Sequence, residues 1–166
     1  CGSALAAQMD NKRYQTYCVL SDGELDEGSI WEAVQFAGHY RLQHLTAIID
    51  RNNIQIDGMT EDVMSKEPLR EKFEAFKWHV IDVDGHNIEQ IIDACNEAKA
   101  ITESPVCIIA HTIPGKGVDF MEFDFRWHGA PSGKVETERA PSKSSQGKEA
   151  LSQLRSLNGK IECMDL

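Results

Sequence analysis

Tyr17-Cys18-Val19-Leu20, closed by Ser21-Asp22-Gly23, and Leu45 to Ile49, closed by Asp50-Arg51-Asn52-Asn53, decide how the chain reads. Each is a short apolar run ended by turn residues, the pattern of a strand buried on both faces. Two further runs follow, Val80 to Val83 before Asp84-Gly85-His86, and Val106 to Ala110 before Pro114-Gly115-Lys116-Gly117. Helical spacing fills the intervals: Ile30, Ala33, Val34 and Ala37; Leu69, Phe73 and Phe76; then Ile88, Ile91, Ile92 and Cys95, with Asn87 as N-cap. Strand alternating with helix predicts right-handed βαβ units, and hence a doubly wound α/β fold with a mostly parallel sheet flanked by helices.

The remaining composition narrows the class. At 166 residues the chain fits one domain with a small appendage. Lys plus Arg is 17 against 27 Asp plus Glu, a formal charge of −10, which argues against a nucleic acid partner because such binding needs clustered basic residues. A small anion held by backbone amides and a metal ion stays open. There is no run of 18 apolar residues and no basic-then-apolar leader, so neither a membrane span nor a signal peptide is expected. Five widely spaced cysteines without a CxxC pair suit a reduced, cytoplasmic compartment. The first residue is not Met, so the natural start is expected to be missing or processed. Residues 129–150 hold two prolines and Ser142-Lys143-Ser144-Ser145, an extended segment, after which Leu151, Leu154 and Leu157 predict a short helix stopped by Asn158-Gly159.

In an open parallel sheet, ligands bind where strands end at their carboxyl side. Asp22 and Asn52 stand there with hard oxygen donors, too few for a Ca²⁺ cage but a natural number for Mg²⁺ sharing phosphate and water oxygens. Gly23 lets backbone approach a phosphate, and a helix starting near Glu27 would aim its amides at the same charge. The residues therefore suggest a Mg²⁺–diphosphate site across two neighbouring strand ends. Each piece also has a plainer reading. Asp-Gly and Asn-Asn after strands are turn chemistry, His86 a loop residue and Trp31 core. Zinc-ligand spacing, Gly-x-Ser-x-Gly and the glycine-rich nucleotide fingerprints are missing.

Taken together, Ser21-Asp22-Gly23-Glu24-Leu25-Asp26-Glu27-Gly28, Trp31-Glu32-Ala33 and Asp50-Arg51-Asn52-Asn53 resemble the thiamine-diphosphate motif, Gly-Asp-Gly followed after just under thirty residues by Asn; here 28 residues separate Gly23 from Asn52. With Asp84-Gly85-His86 and Trp127-His128-Gly129, the pattern is similar to the diphosphate-binding domain of transketolase over residues 3 to 131. The resemblance implies a partial diphosphate domain over residues 1–131 and a C-terminal extension with one short helix over 132–166. It implies Mg²⁺ or Ca²⁺ held by Asp22, Asn52 and the carbonyl of Ile54, and thiamine diphosphate contacted by Gly23, Asn52, Lys116 and His128. His128 reaches the substrate side of the pocket, and Glu27 matches an acidic residue buried at the family's dimer interface, so both carry catalytic roles by resemblance.

The implied reaction moves a two-carbon ketol unit from a ketose phosphate to an aldose phosphate. Two expected parts lie outside the sequence: the family segment ahead of residue 1, and the pyrimidine-binding domain with its ring-activating glutamate. The resemblance therefore implies a split enzyme, a dimer or heterotetramer with a pyrimidine-binding subunit, inactive as an isolated chain. Ser21 stands where the motif has its first glycine. Two other readings stay open: a related thiamine enzyme, such as deoxyxylulose-phosphate synthase or a dehydrogenase alpha chain, and a non-catalytic relic that binds only a partner.

Overall fold

Four parallel strands form the frame of the computed structural model, which describes residues 1–56, 58–129, 149 and 152–154. In chain order, helix α1 (Gly2–Met9) leads into β1 (Thr16–Ser21), a 3-10 turn (Gly23–Asp26), α2 (Gly28–Tyr40) and β2 (Leu45–Arg51). A short hairpin, β3 (Ile54–Gln55) and β4 (Gly58–Met59), runs into α3 (Thr60–Val63) and α4 (Leu69–Ala75). Then come β5 (His79–Asp84), α5 (Ile88–Ala100), β6 (Val106–His111) and a second 3-10 turn (Phe125–Trp127). The sheet order is β1-β2-β6-β5, all parallel, the doubly wound arrangement the alternating pattern predicts. The residues expected to form the C-terminal helix lie mostly outside the described residues.

The strands bury because apolar side chains leave both faces of the sheet. Toward α2 and α4, Leu45, Ala47, Ile49, Cys107 and Ile109 pack with Val34, Ala37, Leu69 and Phe73. Toward α5, Val106, Ile108 and Ala110 pack with Ala94 and Ala98. Trp31 belongs to the first layer, its ring 5.6 Å from Phe73 and its Nε1 donating to the Leu25 carbonyl at 2.7 Å. It is core, as the plainer reading has it. At Gly38 the helix touches backbone: a Cβ there would stand 1.8 Å from the Phe76 carbonyl oxygen, so only glycine lets α2 approach the end of α4 this closely.

Two expectations need correcting. β1 is not buried on both faces: it is an edge strand of the described sheet, with Tyr17 40% and Val19 70% exposed. An unbroken apolar run cannot reveal whether its second face finds a cover. In α5 the helix and its Asn87 cap are as predicted, the side chain accepting from the Gln90 amide at 3.2 Å. The buried stripe, however, is Ile91, Ala94, Cys95 and Ala98, while Ile88 and Ile92 face outward. Alanines at the contact allow close helix–sheet approach, so the large side chains do not mark the inner face.

All four strands end on the same edge, in register: Ser21 beside Asp50, Arg51 beside His111, and Asp84 beside His111. The loops that carry the candidate residues therefore converge there. Among the described residues no helix is long and apolar enough to cross a membrane, and the four described cysteines are free.

Candidate functional site at the strand ends

Ser21 closes β1 in ordinary extended backbone, outside the positive-φ positions. Its substitution for the motif's first glycine therefore carries no strain. It starts the next element instead. The Ser21 amide donates to Glu24 Oε2 at 2.7 Å, and the Glu24 amide returns to Ser21 Oγ at 3.2 Å, the reciprocal arrangement of a capping box. The 3-10 turn begins at once, and α2 starts at Gly28 after Glu27. The helix start near Glu27 is as expected; a separate 3-10 turn intervenes between Gly23 and that helix.

That tight turn sends Asp22 inward, where it is 0% exposed. Its Oδ2 accepts from three donors: Arg51 Nη1 at 2.8 Å, the Asn53 amide at 2.8 Å and Thr60 Oγ1 at 3.3 Å. Its Oδ1 is buried and has no hydrogen-bond partner among the described residues. Asn53 reaches it because its backbone is left-handed, φ 64°, a conformation asparagine tolerates better than most residues.

Asn52 is 8% exposed at the end of β2. Its Nδ2 donates to Asp50 Oδ2 at 3.2 Å, and its Oδ1 accepts from the Ile54 amide at 3.0 Å. Asp50 is in turn held by the Thr112 hydroxyl from beyond β6. Gly23 faces Gln55 of the hairpin, whose Cγ would lie 3.1 Å from a Cβ at residue 23. The fold thus brings Asp22, Gly23, Asn52 and Ile54 to the same end of the sheet, after β1 and β2. Glu27, Lys116 and His128 are exposed, and among the described residues the structure shows no hydrogen bond or ion pair between them and those four. His128 follows the 3-10 turn Phe125–Trp127, which rests against β4. His86 acts as a clasp between loops, its Nε2 accepting from the Ile113 amide at 2.7 Å.

Sequence reasoning missed the buried cations near these residues. Arg51 is 2% exposed, and its Nη2 donates to Glu61 Oε1 at 2.6 Å and Glu67 Oε1 at 3.0 Å. Burial opposes its charge, but hydrogen bonds to Asp22, Glu67 and Glu61 outweigh that and raise its pKa above the ordinary value. Lys66 is buried as well, with partners of its own: its Nζ meets Asp26 and the Met64 carbonyl, and Gln55 Nε2 adds a donor to Asp26 at 2.7 Å. Burial acts to raise the Asp26 pKa, and the Lys66 and Gln55 bonds overcome it, so its net shift is downward. Asp57-Gly58 is a turn signal in the sequence close to this hairpin, although Gly58 itself belongs to β4. No periodicity announces a buried arginine.

A buried carboxylate oxygen without a donor is costly unless a cation meets it. Asp22 Oδ1 just after β1 and the amide oxygen of Asn52 just after the paired strand β2 are hard oxygens of the kind that suits Mg²⁺.

Comparison with known proteins agrees with the fold. A family model described as "Transketolase, thiamine diphosphate binding domain" matches residues 5–152. The chain is 49% identical over 121 residues to a 6-deoxy-6-sulfo-D-fructose transketolase subunit of Clostridium sp. (strain MSTE9), covering 73% of this chain and 44% of that one. It is 45% identical over 132 residues to an apulose-4-phosphate transketolase subunit of Phocaeicola vulgatus, covering 79% and 47%. Among solved structures, a transketolase from Campylobacter jejuni matches with a TM-score of 0.74 at 28% identity, covering 97% of this chain and 29% of that one. The chain spans less than half the length of these relatives.

Proposed function

The chain belongs to the transketolase family and carries its thiamine-diphosphate-binding domain, and from that premise we propose that it holds the metal and the diphosphate end of the cofactor in a ketol-transferring enzyme. The reaction class is transfer of a two-carbon unit from a ketose phosphate to an aldose phosphate. The observation that carries the metal reading is the bare, buried Oδ1 of Asp22 after β1, the strand paired with the one that Asn52 follows.

In this reading Asp22, the Asn52 side chain and the Ile54 carbonyl hold Mg²⁺. Asp50 takes the Asn52 amide nitrogen, which leaves the oxygen as the atom that would serve the ion. Gly23 admits a phosphate close to backbone because no side chain stands in the way. Lys116 and His128, exposed on the segment that follows β6, approach the diphosphate, and His128 also serves the substrate side. Glu27, exposed in the single chain, faces a second subunit. Thiamine diphosphate, when bound, supplies the carbanion chemistry that breaks the ketose carbon–carbon bond. The chain's own residues bind, orient and neutralise charge, and the reaction needs a pyrimidine-binding partner in a dimer or heterotetramer in the cytoplasm. Two relatives named as transketolase subunits support the split arrangement. Their named sugars differ, so the proposal commits to the ketose class alone.

Thiamine diphosphate titrated in the presence of Mg²⁺ into the chain assembled with a pyrimidine-binding subunit, followed by tryptophan fluorescence, tests this. Binding that requires the metal and is lost in Asp22→Ala supports it. Unchanged affinity in that variant rules out the ligand assignment.

A further inference from the structure

Arg51 closes β2 with its guanidinium buried, and a buried guanidinium needs close partners. It has three, from separate stretches of chain: Asp22 after β1, Glu61 in α3 and Glu67 before α4. Three carboxylates around one guanidinium leave an excess of two negative charges, which a divalent cation would offset. The placement of the contacts is equally specific. Arg51, the Asn53 amide and Thr60 all bind the same oxygen of Asp22, Oδ2, and none binds Oδ1. Rotation of the carboxylate would break all three bonds, so its free oxygen is locked in one direction.

We propose that Arg51 is a positioning residue for the metal site: by gripping Asp22 Oδ2 it presents Oδ1, alone, to a divalent cation. The proposal rests on the reading of Asp22 as a metal ligand. Arg51 touches neither cofactor nor substrate in this scheme. Its far end is anchored by Glu61 and Glu67, so the grip is also sensitive to the segment Thr60–Glu67, which folds over the strand ends. A guanidinium near a cation repels it as well as organising its ligand. The structure favours organisation, because the positive charge faces Oδ2 and carboxylates occupy its other arm. Outer residues that orient metal ligands are worth about ten- to a hundred-fold in metal affinity.

The experiment uses the full chain assembled with a pyrimidine-binding subunit, Mn²⁺ as an EPR-active stand-in for Mg²⁺, and thiamine diphosphate at a fixed excess. Arg51→Gln should bind Mn²⁺ about ten- to a hundred-fold more weakly, with an altered line shape for the fraction that binds. Arg51→Lys should recover part of the affinity, because an ammonium keeps the charge but not the two-armed grip. A purely structural ion pair would change stability and leave the line shape untouched. Asp22→Asn separates the two levels of inference. If it binds Mn²⁺ like the unsubstituted chain, or if the unsubstituted chain shows no saturable site, the site reading fails and the proposal falls with it. If Asp22→Asn abolishes binding while Arg51→Gln binds as tightly as before, or more tightly, only the role of Arg51 is overturned. Should circular dichroism show that Arg51→Gln does not fold, the pair Glu61→Gln and Glu67→Gln loosens the guanidinium from its far side. Weaker binding with a changed line shape then supports the proposal, and an unchanged affinity and line shape overturns it.

Discussion

Ser21 and Glu24 cap one another: the Ser21 amide and hydroxyl both donate to Glu24 Oε2, at 2.7 and 3.2 Å, and the Glu24 amide donates back to Ser21 Oγ at 3.2 Å. The serine that departs from the family motif thus has local work, ending β1 and starting the turn that drives Asp22 inward. Ser21→Ala should lower stability by about 1 kcal/mol, the usual size of a lost cap. Ser21→Gly should stay within about 1 kcal/mol, because glycine is itself an acceptable cap. Urea midpoints of the two variants check the ordering; equal stability of Ser21→Ala and the unsubstituted chain would remove the capping role.

Gly38 gives the strongest packing prediction. Its missing Cβ would overlap the Phe76 carbonyl at 1.8 Å, and that atom is backbone, which cannot swing aside. Gly38→Ala gains helix propensity of roughly 1 kcal/mol, yet the overlap forces α2 away from α4. The net change should be a loss of about 1–3 kcal/mol. Thermal unfolding decides it, and a raised midpoint would mean that the close approach is softer than the geometry implies.

Acid sensitivity should trace in part to Glu61. The Ser65 hydroxyl, with the Lys66 amide and Arg51, outweighs burial and holds its carboxyl at about 2 rather than 4.5. A depressed folded-state pKa gives stability that is fully present above the unfolded value and lost as pH falls through the folded one. The window is therefore pH 4.5 down to about 2. With 39% of the side chain exposed, screening reduces the contribution to about 1 kcal/mol. Glu61→Gln should show a flatter dependence of urea midpoint on pH across that window; parallel curves would contradict the assignment.

Autonomy is testable by activity. The chain purified free of host transketolase should form no product from xylulose 5-phosphate and ribose 5-phosphate at any cofactor concentration. Addition of a pyrimidine-binding subunit should be required for turnover. Product from the chain alone would show that the split reading is wrong.

The doubly wound sheet was legible because its four strands are short apolar runs stopped by turn residues, and that signal depends only on local sequence. Asp22, Gly23 and Asn52 could be grouped from the sequence because parallel strands bring loops some thirty residues apart to one edge; Ile54 came in only through the family resemblance. What the sequence did not disclose is tertiary in origin. The exposed face of β1 depends on whether a neighbour covers it. The inner face of α5 depends on where alanines permit close approach. Arg51 and Lys66 read as turn and loop charges, since a buried cation is recognised only once its carboxylates are folded around it. α1 carries alanines rather than large apolar residues at its buried positions, Ala4 and Ala7, and so gave no periodic signal.

Cys18 and Cys107 lie in one row of the sheet, each paired with Ala47 between them. One is exposed on the edge strand; the other is 0% exposed at the centre, where burial pushes its thiol pKa up. The row therefore contains two chemical clocks. A thiol reagent reaches Cys18 in the folded chain, whereas Cys107 reacts only when the strands on either side part. The ratio of the two rates reads out how often the whole sheet opens, and protection of Cys18 in an assembled enzyme would register, on the same scale, the arrival of whatever covers that edge.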